Sequence, residues 1–386
     1  MVSKIERILG WVTGIFLSAA ILFGVFVRCV YADEPQYIRA AVLQDAPSFS
    51  LRIKGPYEIQ EPDSKKIISR GRGLNVTVCS GQEGIVLGNF KANSNSILIN
   101  VTAPAELIIN GRRFRDNIRI YKRPDARLVV INIVNLEDYI RGILYHEASH
   151  YWPQEALRAQ AIVCRTYALY EMQENNLRDF DVTSDIYSQV YGGLTSERQR
   201  TNAAVEDTRG CVLTYQGKIF PAFFSATCGG HTEDASVLWK IELPPLKGVP
   251  CDFCKESPHY NWHYVLSKQE FLKEFASAGY KIGGIMAIFP AGKDASGRVT
   301  DLKISSLTEE INISAKDFRN IIGPNLIRST NFEVSVVHSD VVFEGVGWGH
   351  GVGLCQWGAY FMAKSGHTYI DILRHYYPGA EVTLMQ

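Results

Sequence analysis

The sequence predicts an α+β fold: a β-rich N-terminal region, then a mixed α+β domain that closes on a glycine-rich C-terminal turn. Three observations carry this. Residues 36–134 form short β-rich runs separated by Gly, Pro, Asn and Asp. From Asn135 the apolar spacing changes to that of a helix. Near the end, glycine is dense from Gly345 to Gly353. The expected division is 1–32 as a signal peptide or membrane anchor, 33–106 as the β-rich region and 107–386 as the α+β domain.

Length and composition suit packed globular structure. The 386 residues are 46% hydrophobic and 21% charged. Lys+Arg and Asp+Glu both number 40, so no basic excess points to nucleic acid as a partner.

At the N-terminus, Lys4 and Arg7 precede an apolar run from Ile8 to Val27 that Arg28 ends. About 20 apolar residues can span a bilayer. Val30-Tyr31-Ala32 before Asp33 has the form of a small-residue cleavage site. A cleaved signal, a retained anchor and a buried core helix all stay open, and Arg28 directly before Cys29 argues against lipidation there. Either of the first two implies export to the cell envelope, as a secreted, periplasmic or membrane-anchored protein.

The β-rich runs are Ile38 to Val42, Leu51 to Ile53, Gly84 to Leu87, Ile97 to Val101, Leu107 to Ile109 and Leu128 to Val134. Asn135 then caps a helix with Asp138 three residues on, and Trp152-Pro153 breaks it. A second helix begins near Pro153 and runs to about Gln173, with Leu157, Ala161, Cys164 and Ala168 as its core stripe. Further helices are expected around Arg198–Asp207, Lys268–Ala278 and Gln356–Ser365, and a hairpin at Gln216-Gly217.

Glu147 is the most telling residue. Advancing the first helix by about 100° per residue from Leu136 sets Glu147 about 20° from the apolar direction. A carboxyl there is desolvated, which raises its pKa and favours the neutral acid that protonates a leaving oxygen. The plainer alternative has Glu147 facing water past the helix, or paired with an arginine such as Arg165.

Two metal-like patterns compete for attention. His146-Glu147-Ala148-Ser149-His150 fits the HExxH pattern of zinc proteases, with Glu171 or Glu174 as third ligands. Against it, Trp152-Pro153 ends the helix almost at once. Cys228-x-x-His231 and Cys251-x-x-Cys254 match the two knuckles of a structural zinc site. Disulfides, or a Cys251–Cys254 redox pair, are the alternatives among the eight cysteines. In the tail, Gly347-Trp348-Gly349-His350-Gly351 to Ala359 lacks the lysine of a phosphate loop; its backbone can approach a ligand closely, with His350, Gln356 and the Trp faces as sugar contacts.

Several ordered motifs together resemble the SpoIID/LytB family (sporulation stage II protein D / amidase enhancer). They are Leu136-Glu137-Asp138-Tyr139 through Glu147, Trp152-Pro153, Glu155 to Ala161, Arg165-Thr166-Tyr167-Ala168, Ser188 to Gly193, Thr227 to Thr232, and the Gly-His-Gly-Val-Gly tail ending in Tyr376-Tyr377-Pro378-Gly379. The likeness runs from about Leu107 to the C-terminus. It implies lytic cleavage of peptidoglycan glycan strands with Glu147 as the catalytic acid and base, and no cofactor needed for catalysis. It also implies the alternative of an amidase enhancer, which binds peptidoglycan and activates a wall amidase without cleaving. His146 and His150 become local departures, and the HExxH protease the weaker alternative. Cys251 and Cys254 lie outside the signature, so the structural zinc rests on spacing alone. Gln189, Tyr191, His350 and Gln356 are the expected sugar contacts.

Overall fold

In the strand Ser48–Gln60 the side chains of Phe49, Leu51 and Ile53 are buried, while Ser48, Ser50 and Arg52 between them are exposed. That period of two sets one face of a sheet on the core. The computed structural model describes residues 35–185, 188–307 and 309–385; the expected signal or anchor at 1–32, with Cys29, lies outside them. Eleven strands share the first sheet. Its order is Val182–Thr183, Tyr37–Ala46, Leu128–Asn135, Asn117–Lys122, Ser96–Val101, Ser48–Gln60, Ile67–Gly81, Gly84–Leu87 and Phe90–Ala92. Glu106–Ile109 also pairs with Ser48–Gln60, and Arg112–Phe114 pairs with it in turn. Pairing is antiparallel except where Tyr37–Ala46 meets Val182–Thr183.

All six β-rich runs read from the sequence fall in these strands. The boundary expected at residue 107 does not separate two bodies. It falls inside the strand Glu106–Ile109, and Tyr37–Met385 is one compact unit.

The strand Leu128–Asn135 passes directly into the helix Leu136–Glu147. Asn135 Oδ1 accepts from the Glu137 amide at 3.0 Å. The Asn135 amide itself donates to Asp116 Oδ2 at 3.0 Å, so Asp116 fills the place expected of Asp138, which instead pairs with Arg141. The next helix, Gln154–Glu174, is buried nearly all round. Leu157, Ala161, Cys164 and Ala168 face the core beneath the large sheet. Ala159, Ile162 and Val163 face a second core built with Leu354, Ala359, Ile372 and Tyr376. This helix is therefore the wall between two cores, and its small residues let both approach.

A third core lies wholly between residues 262 and 343. Two three-stranded sheets, Asn261–Ser267/Asp340–Val346/Phe332–Val337 and Ile285–Lys293/Val299–Ser306/Glu310–Ser314, hold it with the helices Lys268–Ser277 and Ala315–Ile322. Among the described residues no helix is long and apolar enough to cross a membrane.

Candidate active site

Glu147 is the last residue of its helix. Ala148 then turns extended, with φ −141° and ψ 136°. Leu136, Tyr139, Ile140, Ile143 and Leu144 are buried on the face that the periodicity indicates. Glu147 as a whole is half-buried, while neighbouring protein atoms desolvate its carboxyl. That burial pushes the carboxyl up to about 7, and the Val190 amide donating to Oε1 at 3.3 Å offsets it only in part. Glu147 makes no ion pair among the described residues. Arg165, the partner named in the plainer alternative, is committed to Glu137 at 2.8 Å.

The segment after Gln189 fixes that carboxyl. The Gly192 amide donates to Gly142 O at 3.2 Å, and the Tyr191 ring packs on Tyr139 and Phe114 at 4.9 and 5.8 Å. Gly142 is required in the helix because a Cβ there would stand 2.5 Å from the Tyr191 ring. Tyr191 donates to Asn132 Oδ1 at 2.8 Å, which ties the segment to the central strand. Gln189 accepts from Tyr139 and donates to Cys164 O. Both Gln189 and Tyr191 are only 1% exposed. The sugar contacts expected of them are therefore corrected: their polar groups are spent on positioning the segment beside Glu147.

Gln356 is corrected in the same way. It is 8% exposed, and its Nε2 donates to the main-chain O of Glu147 at 2.9 Å. His350 is half-buried, accepts from the Val352 amide at 3.1 Å and lies against Trp239 at 5.1 Å. Burial, with the charges of Arg298 and Arg319, pushes its pKa down to about 3, so it is neutral. Gly351 runs past Arg298 so closely that a Cβ would stand 2.3 Å from the guanidinium.

The HExxH reading fails on geometry. The helix stops at Glu147, so His150 is not one turn after His146 on a common face. His146 is exposed and its Nε2 meets Ser196 Oγ at 2.6 Å. Glu171 accepts from Asn175 at 2.9 Å.

Four cysteines instead converge. The Sγ atoms of Cys228, Cys251, Cys254 and Cys355 all lie within 4.8 Å of one another, and all four residues are buried. Three were expected together. His231 was expected as the fourth, but its Nδ1 faces Thr232 O at 2.7 Å and its backbone bridges Pro250. Cys355 takes its place. Cys164 lies apart from this group as a core residue, as its helical stripe indicates.

The tail tryptophans Trp348 and Trp357, expected as sugar contacts, stand in a line of half-buried rings that Trp152 and His259 complete, and Trp357 follows Gln356, which holds the Glu147 main-chain oxygen. Trp152 meets Trp357 at 5.2 Å, Trp357 meets His259 at 6.0 Å, and His259 meets Trp348 at 4.8 Å. Arg328 stacks over Trp348 at 4.7 Å. Each tryptophan stands in a quoted motif, but their convergence comes only with the fold.

The raised carboxyl has a consequence for stability. The folded state holds the Glu147 proton more tightly than the unfolded chain, whose carboxyl keeps the ordinary value of 4.5. Its contribution to folding is full below 4.5 and is lost as pH rises through 7. Glu147→Gln removes that loss. Chemical denaturation should find the variant equal to the native protein at acid pH and more stable above pH 7, by up to about 3 kcal/mol. Equal stability at high pH would show that the carboxyl is not desolvated.

Comparisons with known proteins place the chain among relatives by sequence. A family model described as stage II sporulation protein matches residues 125–215, which hold Glu147 and the segment that fixes it. A second model, described as a domain of unknown function, matches residues 251–353. The chain is similar to an uncharacterized protein of Brachyspira hyodysenteriae, 33% identical over 92% of this chain and 95% of that protein. It is 30% identical to stage II sporulation protein D of Bacillus amyloliquefaciens over 65% of this chain and 74% of that one. The amidase enhancer of Bacillus subtilis is 27% identical over 82% of this chain, which spans half of that longer protein. On this family match and these relatives, the chain belongs to the stage II sporulation protein D/amidase enhancer family.

Proposed function

We propose that the chain is a cell-envelope lytic transglycosylase acting on peptidoglycan glycan strands, with Glu147 as both acid and base. The observation that carries this is one half-buried carboxyl, raised to about 7 and free of ion pairs among the described residues, on a residue whose main-chain oxygen is held by Gln356, the neighbour of Trp357 in a line of half-buried aromatic rings. Rings of this kind offer flat apolar surface to sugar faces.

In the first step the Glu147 carboxyl gives its proton to the oxygen linking N-acetylmuramic acid C1 to N-acetylglucosamine. The C1–O bond breaks and the leaving sugar departs as an alcohol. The Glu147 carboxylate then takes the proton of the muramic C6 hydroxyl, and O6 bonds to C1. The carboxyl is restored, a 1,6-anhydro ring forms and no water is consumed. One carboxyl suffices, whereas ordinary glycosidases use two. Export to the envelope rests on the N-terminal apolar run with its cleavage-like site.

Mass spectrometry of purified glycan strands, freed of stem peptides and incubated with the protein, should find anhydro-muramic ends. Reducing ends alone would mean hydrolysis. The rate should fall about tenfold per pH unit above 7, because the acid form is then the minor one. The name of the amidase-enhancer relative favours a second reading, in which the chain binds strands and stimulates a wall amidase. Intact strands together with an accelerated amidase would establish it in place of the first.

A further inference from the structure

We infer that Cys228, Cys251, Cys254 and Cys355 hold a single zinc ion as a closed tetrathiolate site, and that this ion closes the neck of the module that carries the third core, inserted in the chain between Cys254 and Cys355. The inference does not rest on the proposed catalytic activity. A tetrahedron with metal–sulfur bonds of about 2.3 Å sets its sulfurs about 3.8 Å apart. Cys228 Sγ and Cys254 Sγ are 3.6 Å apart, and all four sulfurs fall within 4.8 Å. Disulfides would join sulfurs in pairs at about 2.05 Å; here all four cysteines are free and their sulfurs lie within 4.8 Å of one another.

The surroundings favour negative sulfur. The Cys228 amide donates to Cys355 Sγ at 3.2 Å and the Gly358 amide donates to the same sulfur at 3.3 Å. Cys355 is also the N-cap of the helix Gln356–Lys364, whose dipole favours an anion there. The Tyr376 hydroxyl meets Cys251 Sγ at 3.1 Å. Arg298, fully buried, donates to Cys228 O at 2.5 Å and His231 O at 3.0 Å, which brings a positive charge behind the first knuckle. Oriented N–H donors around thiolates are what a metal with four anionic ligands needs around it.

The placement gives the ion a purpose. Cys228, Cys251 and Cys254 precede the third core and Cys355 follows it. The next residue after Cys355 is Gln356, which holds the main-chain oxygen of Glu147. A zinc at this point fastens both ends of the insertion and the bracket of the candidate acid in one step. With four protein ligands the ion has no open position, so it is structural.

The full chain, purified without added metal, should contain about one zinc by elemental analysis. Cobalt exchanged into it should show the intense sulfur-to-cobalt charge transfer and strong visible bands of a four-sulfur tetrahedral site. His231→Ala should keep both the stoichiometry and the spectrum, while Cys355→Ser should lose the metal. If Cys355→Ser does not fold, the cobalt spectrum of the native chain decides, because three sulfurs with one imidazole give weaker, shifted bands. A metal-free chain, with these cysteines titrating as free thiols or found in disulfides, would overturn the inference. So would iron in place of zinc, or zinc that depends on His231 and survives Cys355→Ser.

Discussion

Glu147→Gln should lower the rate of strand cleavage by about 10³-fold while leaving the fold and strand binding unchanged. The amide has the size of the carboxylic acid and can still accept from the Val190 amide, which stands 3.3 Å from Oε1. What it cannot do is release a proton to the leaving oxygen and recover one from the C6 hydroxyl. In the proposed reading strand binding rests on other groups, chiefly the rings from Trp152 to Trp348, so co-sedimentation with insoluble strands should be retained. A rate within a few-fold of the native one would remove Glu147 from the chemistry. Loss of binding together with rate would mean that the carboxyl holds the strand rather than attacking its linkage. The stability measurement above pH 7 separates both outcomes from misfolding, since a folded Glu147→Gln chain should be more stable there than the native protein.

The part of this site that could be read from sequence is the part governed by local periodicity. One helix, started by Asn135 and stopped before Trp152-Pro153, is enough to set Glu147 on the buried side. The β-rich runs were legible for the same reason, because alternation in Ser48–Gln60 is a property of neighbours in the chain. Residues whose role depends on a distant partner were not. Gln189 and Tyr191 look like polar groups available to a sugar, but Tyr139, Cys164 and Asn132 claim their hydrogen bonds. Cys355 belongs to no short Cys pair, and the whole insertion separates it from Cys254, so the nearest histidine in the motif, His231, took its place in the sequence reading. A strand run at Leu107 likewise gives no sign of which earlier strand it pairs with.

The largest stability effect is expected not at Glu147 but at the pair that orients its helix. Arg165 is fully buried, and its Nε and Nη2 each reach a Glu137 oxygen at 2.8 Å. Two further donors go to Cys211 O at 3.0 Å and Val205 O at 3.3 Å, and Glu137 Oε1 also accepts from the Gly210 amide at 3.1 Å. The pair therefore fastens the start of Leu136–Glu147 to Gln154–Glu174 and to the chain after Val205. Glu137→Ala leaves a guanidinium with no counter-charge in a place that water does not reach. It should cost about 3–5 kcal/mol, the range for breaking one side of a buried pair. In a body of this size the melting temperature should then fall by roughly 10 °C. Arg165→Met in the Glu137→Ala background should restore much of the loss, since it removes the stranded charge and refills the volume. The double variant should also recover cleavage in proportion to its stability, if the pair acts only by holding the helix that carries Glu147. A Glu137→Ala variant with native melting would show that the guanidinium is neutralised elsewhere. A stable double variant without activity would show that the pair sets the direction of the Glu147 helix and not merely its persistence.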